Sequence, residues 1–419
     1  LLAVHTDLRY QTALMRKPAL SFIFITLVLD ILGIGLVVPV LPKLVEQYQG
    51  GNVADASHMY GMLAAVYALM QFICAPVLGN LSDRFGRRPV ILISLLGSGL
   101  DYFLMAFAPS LAWFFVGRVI AGITGANFSA ASAYIADVSP PEKRAANFGL
   151  VGAAFGLGFI IGPALGGVLS AWGLQVPFIA AGVLTLINWL YGCFVLPESL
   201  AVENRRAFRF ATASPVGTLE ILRRHPMLLG LATAYFVLCV AHQVYPSTWA
   251  LYTGHRFDWT PKMIGWSLAA VGVCAAIVQG GLTRKVIPKL GEHRAILIGV
   301  AVSALAYIGY GLVTQGWMVY PLIALGALGG ISGPAMQSLI SQGAGADEQG
   351  GVQGALASLN SLAGVVGPFF ATGLFGYFIT TKPEVPGAAF FGAAALNLLG
   401  LAIAFSTMKK VMTKSRQQV

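Results

Sequence analysis

Charge is the scarcest commodity in this chain of 419 residues: Asp, Glu, Lys and Arg together make up 10% of it, against about a quarter in an ordinary soluble domain. That shortage excludes a soluble globular fold. Hydrophobic residues reach 57% and the mean hydropathy is +0.76, in apolar stretches of roughly 20 residues that are each long enough to cross a bilayer. Cysteine is nearly absent, and Cys74, Cys193, Cys239 and Cys274 all fall inside apolar stretches, so neither an extracellular disulfide framework nor a loop zinc site is expected. There is no Walker motif, no HExxH, no nucleophile elbow and no CxxC, and the polar loops are too short to hold an enzyme domain. The chain therefore reads as a non-enzymatic protein of the lipid bilayer. Its 50 glycines suit close packing of membrane helices, where small residues let backbones approach, whereas a β-barrel would need short alternating segments.

Hydropathy predicts an all-α membrane protein with twelve spans, at roughly 19 to 41, 59 to 80, 89 to 108, 111 to 136, 147 to 169, 176 to 196, 227 to 251, 262 to 283, 295 to 314, 317 to 341, 352 to 377 and 386 to 408. The first contains Asp30 and is too long for a cleaved leader. With a cytoplasmic amino terminus, every one of the 26 Lys and Arg residues falls on the cytoplasmic side except Lys43, Arg256, Lys262 and Lys382, which face out, and Arg118, which lies within a span. Such a bias places both termini inside by the positive-inside rule. The net charge of +10 is thus a record of topology, and no nucleic-acid partner is expected.

The longest polar segment, 197–226, divides the chain into an amino-terminal six-helix bundle (1–196) and a carboxyl-terminal one (227–419), with the segment itself as a cytoplasmic linker. An internal repeat supports the division. The loop after the second span reads Gly79-Asn-Leu-Ser-Asp-Arg-Phe-Gly-Arg-Arg88, and 201 residues later comes Gly280-Gly-Leu-Thr-Arg-Lys, followed by Gly291 and Arg294. Two pseudo-symmetric bundles related by an axis along the membrane normal are expected from a duplication of that length.

An ionisable side chain inside a span costs at least a few kcal/mol, so each is a functional candidate. Asp30 lies about ten residues into the first span, roughly 15 Å deep. Asp101 lies roughly 18 Å from one face, and Arg118 enters from the other by roughly 10 Å, which puts the two at nearly the same depth in a core of about 30 Å. They are candidates for proton coupling and for meeting a substrate cation; a structural ion pair, and for Asp30 a neutral core acid, are the alternatives. The second half of the chain has no acid or base in its apolar spans. Its polar candidates for lining a substrate site are His242, Gln243, Gln337 and Asn360, with Gln71 and Asn127 in the first half; interhelical hydrogen bonding is the alternative for each. The aromatics Tyr67, Tyr245 and Trp249 are expected in interfacial belts, with lining a cavity as the alternative.

The stretch from Gly79 to Arg88, together with Arg118-Val-Ile-Ala-Gly-Ile-Thr-Gly125 and Gly152-Ala-Ala-Phe-Gly-Leu-Gly-Phe-Ile-Ile-Gly-Pro163-Ala-Leu-Gly-Gly167, resembles the drug/proton antiporter branch of the major facilitator superfamily. Leu29-Asp-Ile-Leu-Gly-Ile-Gly-Leu-Val-Val-Pro-Val-Leu-Pro42, Tyr67-Ala-Leu-Met-Gln71 and Leu100-Asp-Tyr-Phe-Leu-Met-Ala-Phe107 are similar to the tetracycline/proton antiporters. The resemblance implies export of an amphiphilic drug in exchange for protons by alternating access, in a bacterial inner membrane, by a chain that functions as a monomer. No cofactor is implied; protons are the coupling ion, and Mg²⁺ enters only within a chelated substrate. It assigns a conformational gate to Gly79, Asp83, Arg84, Gly86, Arg87 and Arg88, joined by Arg144, Glu198 and Asp137. It also assigns an antiporter helix to Gly152, Gly156, Gly162, Pro163, Gly166 and Gly167, where the halves would meet. The chain departs from that family at Ser303 and Ala275, where tetracycline antiporters carry an acid and a histidine, so proton coupling is expected to lean on the first half. A proton-coupled importer or facilitator, or a membrane scaffold or sensor, is the alternative function.

Overall fold

In the computed structural model the backbone is described for residues 2–125, 128–139, 141–205, 226–342 and 349–417, and side chains for those outside 1–19, 140–146, 148–150, 226–227, 284, 349–351, 353 and 410–417. Among the described residues twelve helices are long and apolar enough to cross a membrane. Spans one to six are Leu20–Tyr48, Val53–Phe85, Arg87–Ala106, Leu111–Val138, Val151–Trp172 and Val176–Val195; spans seven to twelve are Leu228–Phe257, Pro261–Leu282, Glu292–Leu312, Gly316–Gln342, Gly354–Phe378 and Ala388–Lys409. Large apolar side chains such as Ile93, Leu305, Phe405 and Phe194, the last 82% exposed, face outward, a surface that only lipid can cover at low cost. Most of the predicted linker, 206–225, lies outside the described residues.

Span one does not end at the predicted residue 41. Its helix runs to Val37, and a second helix, Leu41–Tyr48, follows, with Pro42 in its first turn, the position where a missing N–H is harmless. The repeat seen in the sequence also has a physical basis. Gly86 (φ 107°) is the residue before span three, and Gly291 (φ 74°) the residue before span nine, so both repeats end in a glycine that turns the chain through left-handed backbone into the next helix.

The chain folds into two compact units, Leu1–Val37 with Met70–Ser214, and Val38–Leu69 with Pro215–Val419. In the first, Phe22, Leu27 and Ile31 of span one pack with Val90, Ile91 and Leu95 of span three and Tyr134 and Ile135 of span four. In the second, Leu228 and Leu231 of span seven, Ile296 and Val300 of span nine, Met336 and Ile340 of span ten, Leu356 of span eleven and Met408 of span twelve form the core. The second unit thus includes the beginning of span two: Ser57 Oγ donates to the Thr372 carbonyl at 2.7 Å and the Tyr60 hydroxyl to the Pro246 carbonyl at 3.0 Å.

Span five packs on span one through glycine. A Cβ on Gly162 would stand 2.8 Å from the Gly35 Cα and 2.9 Å from the Leu32 carbonyl oxygen; on Gly158 it would stand 2.6 Å from Ile31, and on Gly166 it would enter the Leu36 carbonyl. Three glycines at four-residue spacing let two backbones touch. Gly162, Gly166 and the neighbouring Pro163, which touches Gly35, therefore meet span one of their own unit, whereas Gly152 and Gly156 have nothing within 4 Å of such a Cβ. Gly167 is buried.

Candidate functional site

The first unit holds the intramembrane charges. Span three carries Asp101, which is 2% exposed, and its Oδ1 has no hydrogen-bond partner. Span four brings Arg118 alongside, half-buried, but the guanidinium Nη2 donates to the sulfur of Met105 at 2.8 Å, one helical turn along span three from Asp101. Asp101, Met105 and Arg118 thus lie together where spans three and four pack. Gly117 closes the back of the group: a Cβ there would lie 2.9 Å from Asp101 Oδ1 and 2.8 Å from Met105 Cγ. Asp30 is half-buried in span one. Gly33, one turn further on, presses against the Tyr102 hydroxyl beside Asp101 in sequence, so spans one and three meet close to both acids. Gln71 is half-buried in span two, and Asn127 lies outside the described residues.

A second cluster forms where spans two and three join. Arg87 pairs with Asp83, reaches Asp137 Oδ2 through Nε at 3.2 Å, and donates from Nη1 to Ser82 Oγ at 2.6 Å. Asp137 Oδ2 also accepts from Ser199 Oγ at 3.0 Å. Glu198 acts on main chain: Oε1 accepts from the N–H groups of Arg87 (2.8 Å), Ser199 (3.0 Å) and Leu200 (3.1 Å), and Oε2 from Arg88 N–H at 3.2 Å. It caps span three, where the first N–H groups of a helix lack partners and attract negative charge. Gly86 leaves room for it, since a Cβ there would collide with the carboxylate. Arg88 Nη2 donates to the Cys193 carbonyl at 2.7 Å, covering an orphan acceptor at the end of span six. Arg84 is exposed and lies over the Phe85 ring, and Gly79 faces Ser129 at ordinary contact distance. Arg144 lies outside the residues whose side chains are described. Replacing Glu198 by Ala strips four N–H groups of their acceptor and is expected to lower stability by about 2 kcal/mol or more, read as an earlier thermal unfolding in detergent; Glu198→Gln, which keeps one acceptor oxygen, should fall between Ala and the parent.

The second unit contains a cavity of about 530 Å³, within the range of small-molecule sites. Its walls include His242, Gln243, Gln337 and Asn360, as well as Ser303 and Ala275. Gln337 Nε2 donates to the Tyr235 hydroxyl at 3.3 Å. Tyr245 is the aromatic centre, with ring centroids 5.4 Å from Tyr307, 5.6 Å from Tyr310 and 5.7 Å from both Trp249 and His242. The interfacial placement expected for Tyr245 and Trp249 is corrected here: Tyr245 lines the cavity and Trp249 is 2% exposed behind it, its indole N–H donating to Ser267 Oγ at 2.9 Å. Trp249 and Tyr245 are one turn apart on span seven, so a single apolar stripe feeds both into the interior. Tyr235, Tyr307, Tyr310 and Asn397 also line the cavity. Ser303, Tyr307 and Tyr310 share one face of span nine by their spacing, the signal that could have marked them. Among the described residues no Asp, Glu, Lys or Arg lines this cavity. Among the described residues no group of three His, Cys, Asp or Glu could hold a metal ion.

Residues 23–368 match the family model described as Major Facilitator Superfamily. The tetracycline resistance protein, class C, of Escherichia coli is 46% identical over 77% of this chain and 81% of its own length. Multidrug resistance protein 2 of Bacillus subtilis (strain 168) is 31% identical over 68% and 71%. Among solved structures, that of a human organic anion transporter (TETRAN) superposes with a TM-score of 0.69 at 27% identity, over 93% of this chain and 99% of that one. A bacterial homologue of the human lysosomal transporter Spinster, at 16% identity and a TM-score of 0.77 over 95% and 98%, shares the fold. Twelve apolar helices, an internally duplicated loop with a left-handed glycine in each copy and an acid and base inside the membrane agree with these likenesses, and the chain is an integral membrane transporter of the Major Facilitator Superfamily.

Proposed function

We propose that this transporter exports tetracycline-like drugs across a bacterial inner membrane in exchange for protons, by alternating access and as a monomer, with both termini in the cytoplasm. The observation that carries the reading is Asp101, fully enclosed within span three and accompanied by Arg118. A carboxylate in that position can take and release a proton, and the arginine sets how readily it does so. Asp30 is the second acid on the route. The neutral aromatic cavity of the second unit supplies flat apolar faces with hydroxyl and amide groups, which suit a polycyclic, oxygen-rich molecule. Mg²⁺ would arrive chelated by the drug, as part of the substrate. The Arg87, Asp83 and Asp137 cluster with the Glu198 cap is the cytoplasmic gate, and the open faces at Gly152 and Gly156 leave span five room to move.

The test is a susceptibility panel that includes tetracyclines, run on cells expressing the chain or its Asp30→Asn variant. The parent is expected to raise tetracycline tolerance severalfold and the variant to abolish the gain. Equal susceptibility of the two strains sinks the proposal, and increased drug uptake by the parent would make the chain an importer.

A further inference from the structure

We propose that Asn397 of span twelve is a drug-binding residue of the second unit's cavity: its amide pairs with an uncharged edge of the drug that offers a donor beside an acceptor, such as a carboxamide or an enol next to a carbonyl. The inference rests on the reading of that cavity as the drug site.

Asn397 is 4% exposed and lies about nine residues into span twelve, roughly 14 Å along a core of about 30 Å, the level at which secondary transporters hold their substrates. Among the described residues it makes no hydrogen bond, yet its polar atoms are not sealed off, because the residue borders the cavity. Its own helix does not satisfy it. The residues one turn away on either side are Ala393, Ala394, Gly400 and Leu401, none with a polar side chain, and the amide does not bend back to a carbonyl of the preceding turn as Thr407 does at Ile403. Spans seven and nine pack along span twelve, but Tyr235 of span seven is engaged by Gln337 at 3.3 Å, and Tyr245 and Tyr310 bond to each other. An amide inside an apolar span is costly unless something pairs with it, and what Asn397 has left is the occupant of the cavity.

The first unit shows the other use of such a residue. Asn188, inside span six, is 1% exposed, and its Oδ1 accepts from Thr26 Oγ1 of span one at 3.3 Å, while its Nδ2 is sealed without a partner. An asparagine that ties two spans is a structural hydrogen bonder. Asn397 holds the corresponding place in the last span of the second half, without the tie and with its polar atoms reachable from the cavity. Its amide presents one donor group and one acceptor side by side, so it matches an edge that offers the same pair reversed. Among the described residues no formal charge of Asp, Glu, Lys or Arg borders the cavity, which favours the uncharged edge of a drug over its ionised one.

The experiment is equilibrium binding of tetracycline with Mg²⁺ to the purified full chain in detergent, followed by the fluorescence of the drug, with thermal unfolding of the same samples. Asn397→Leu keeps the size of the side chain and removes both hydrogen-bonding groups. It is expected to weaken binding about tenfold while unfolding at a higher temperature than the parent, because a buried amide without a protein partner is gone. A tie within the protein would give the reverse, earlier unfolding at unchanged affinity. Asn397→Ala, which cannot overpack the site, should lose affinity likewise, and Asn397→Gln, which keeps the amide on a longer stem, should recover part of it. Asn188→Leu is the control: losing the Thr26 bond, it should unfold earlier and bind tetracycline as the parent does. Parent affinity in Asn397→Leu and Asn397→Ala, or an equal loss of affinity in Asn188→Leu, overturns the inference and leaves the amide to water or packing. Failure of the export reading looks different: binding still depends on Asn397, but inverted vesicles show no proton-driven uptake of the drug. A parent that binds no tetracycline overturns both.

Discussion

Asp101→Asn is expected to reduce proton-driven tetracycline uptake into inverted vesicles to the level of empty membranes. Asparagine keeps the size and the hydrogen-bonding carbonyl of the acid but cannot exchange a proton. The fold should tolerate the change, because Oδ1 has no hydrogen bond to lose, Arg118 retains its contact with Met105, and an amide is cheaper than a carboxylate in an apolar span. Thermal unfolding of the variant should therefore match or exceed that of the parent. Exchange of drug for drug without a proton gradient should survive, since the cavity of the second unit is untouched. This split between lost uphill transport and retained counterflow is the signature of a coupling residue. Uphill transport by the variant would move the proton carrier to Asp30 alone.

The second large effect belongs to a residue that carries no chemistry. Gly162→Leu is expected to prevent the first unit from assembling, at a cost of about 3 kcal/mol or more. The new side chain would point at the Gly35 Cα and the Leu32 carbonyl oxygen, at 2.8 and 2.9 Å from its first carbon. Those are backbone atoms and cannot turn aside as a side chain could, so span five has to lift off span one. Gly156→Leu, six residues earlier on the same helix, is the control: nothing lies within 4 Å of its Cβ position, and its stability should stay within about 0.5 kcal/mol of the parent. Size-exclusion profiles and thermal unfolding of the two variants in detergent separate the cases; equal behaviour would mean that the glycine row of span five does not hold span one.

What the sequence makes legible here follows from physics that acts locally. The spans could be read because lipid demands about 20 apolar residues in a row, and Asp101 and Arg118 could be matched in depth because helix rise is constant. The contact that links them could not. Methionine counts as an apolar filler in any pattern, and nothing in the spacing shows that its sulfur would take a guanidinium. Glu198 was assigned to a charge cluster through resemblance, but its role as the cap of span three joins residues 111 positions apart, which no local rule reaches. Gly158 was missed although it is in phase with Gly162 and Gly166, because its partner is the backbone of another span. Tyr245 illustrates a wrong prior: aromatic residues near span ends commonly belong to the interface, and only the packing of Trp249, Tyr307 and Tyr310 around it reveals a cavity wall.

Among the described residues the walls of that cavity contain no Asp, Glu, Lys or Arg, and this has an electrical meaning. A membrane potential acts most strongly on formal charge, with about 2.3 kcal/mol per elementary charge for each 100 mV crossed. With His242 neutral and its occupant uncharged, the cavity therefore couples weakly to voltage, and among the described intramembrane residues the field acts chiefly through Asp30, Asp101 and Arg118. If the cavity holds the drug as proposed, the potential difference and the drug are handled by separate parts of one chain, and altering the cavity should change which molecule travels without changing how strongly the membrane voltage drives it.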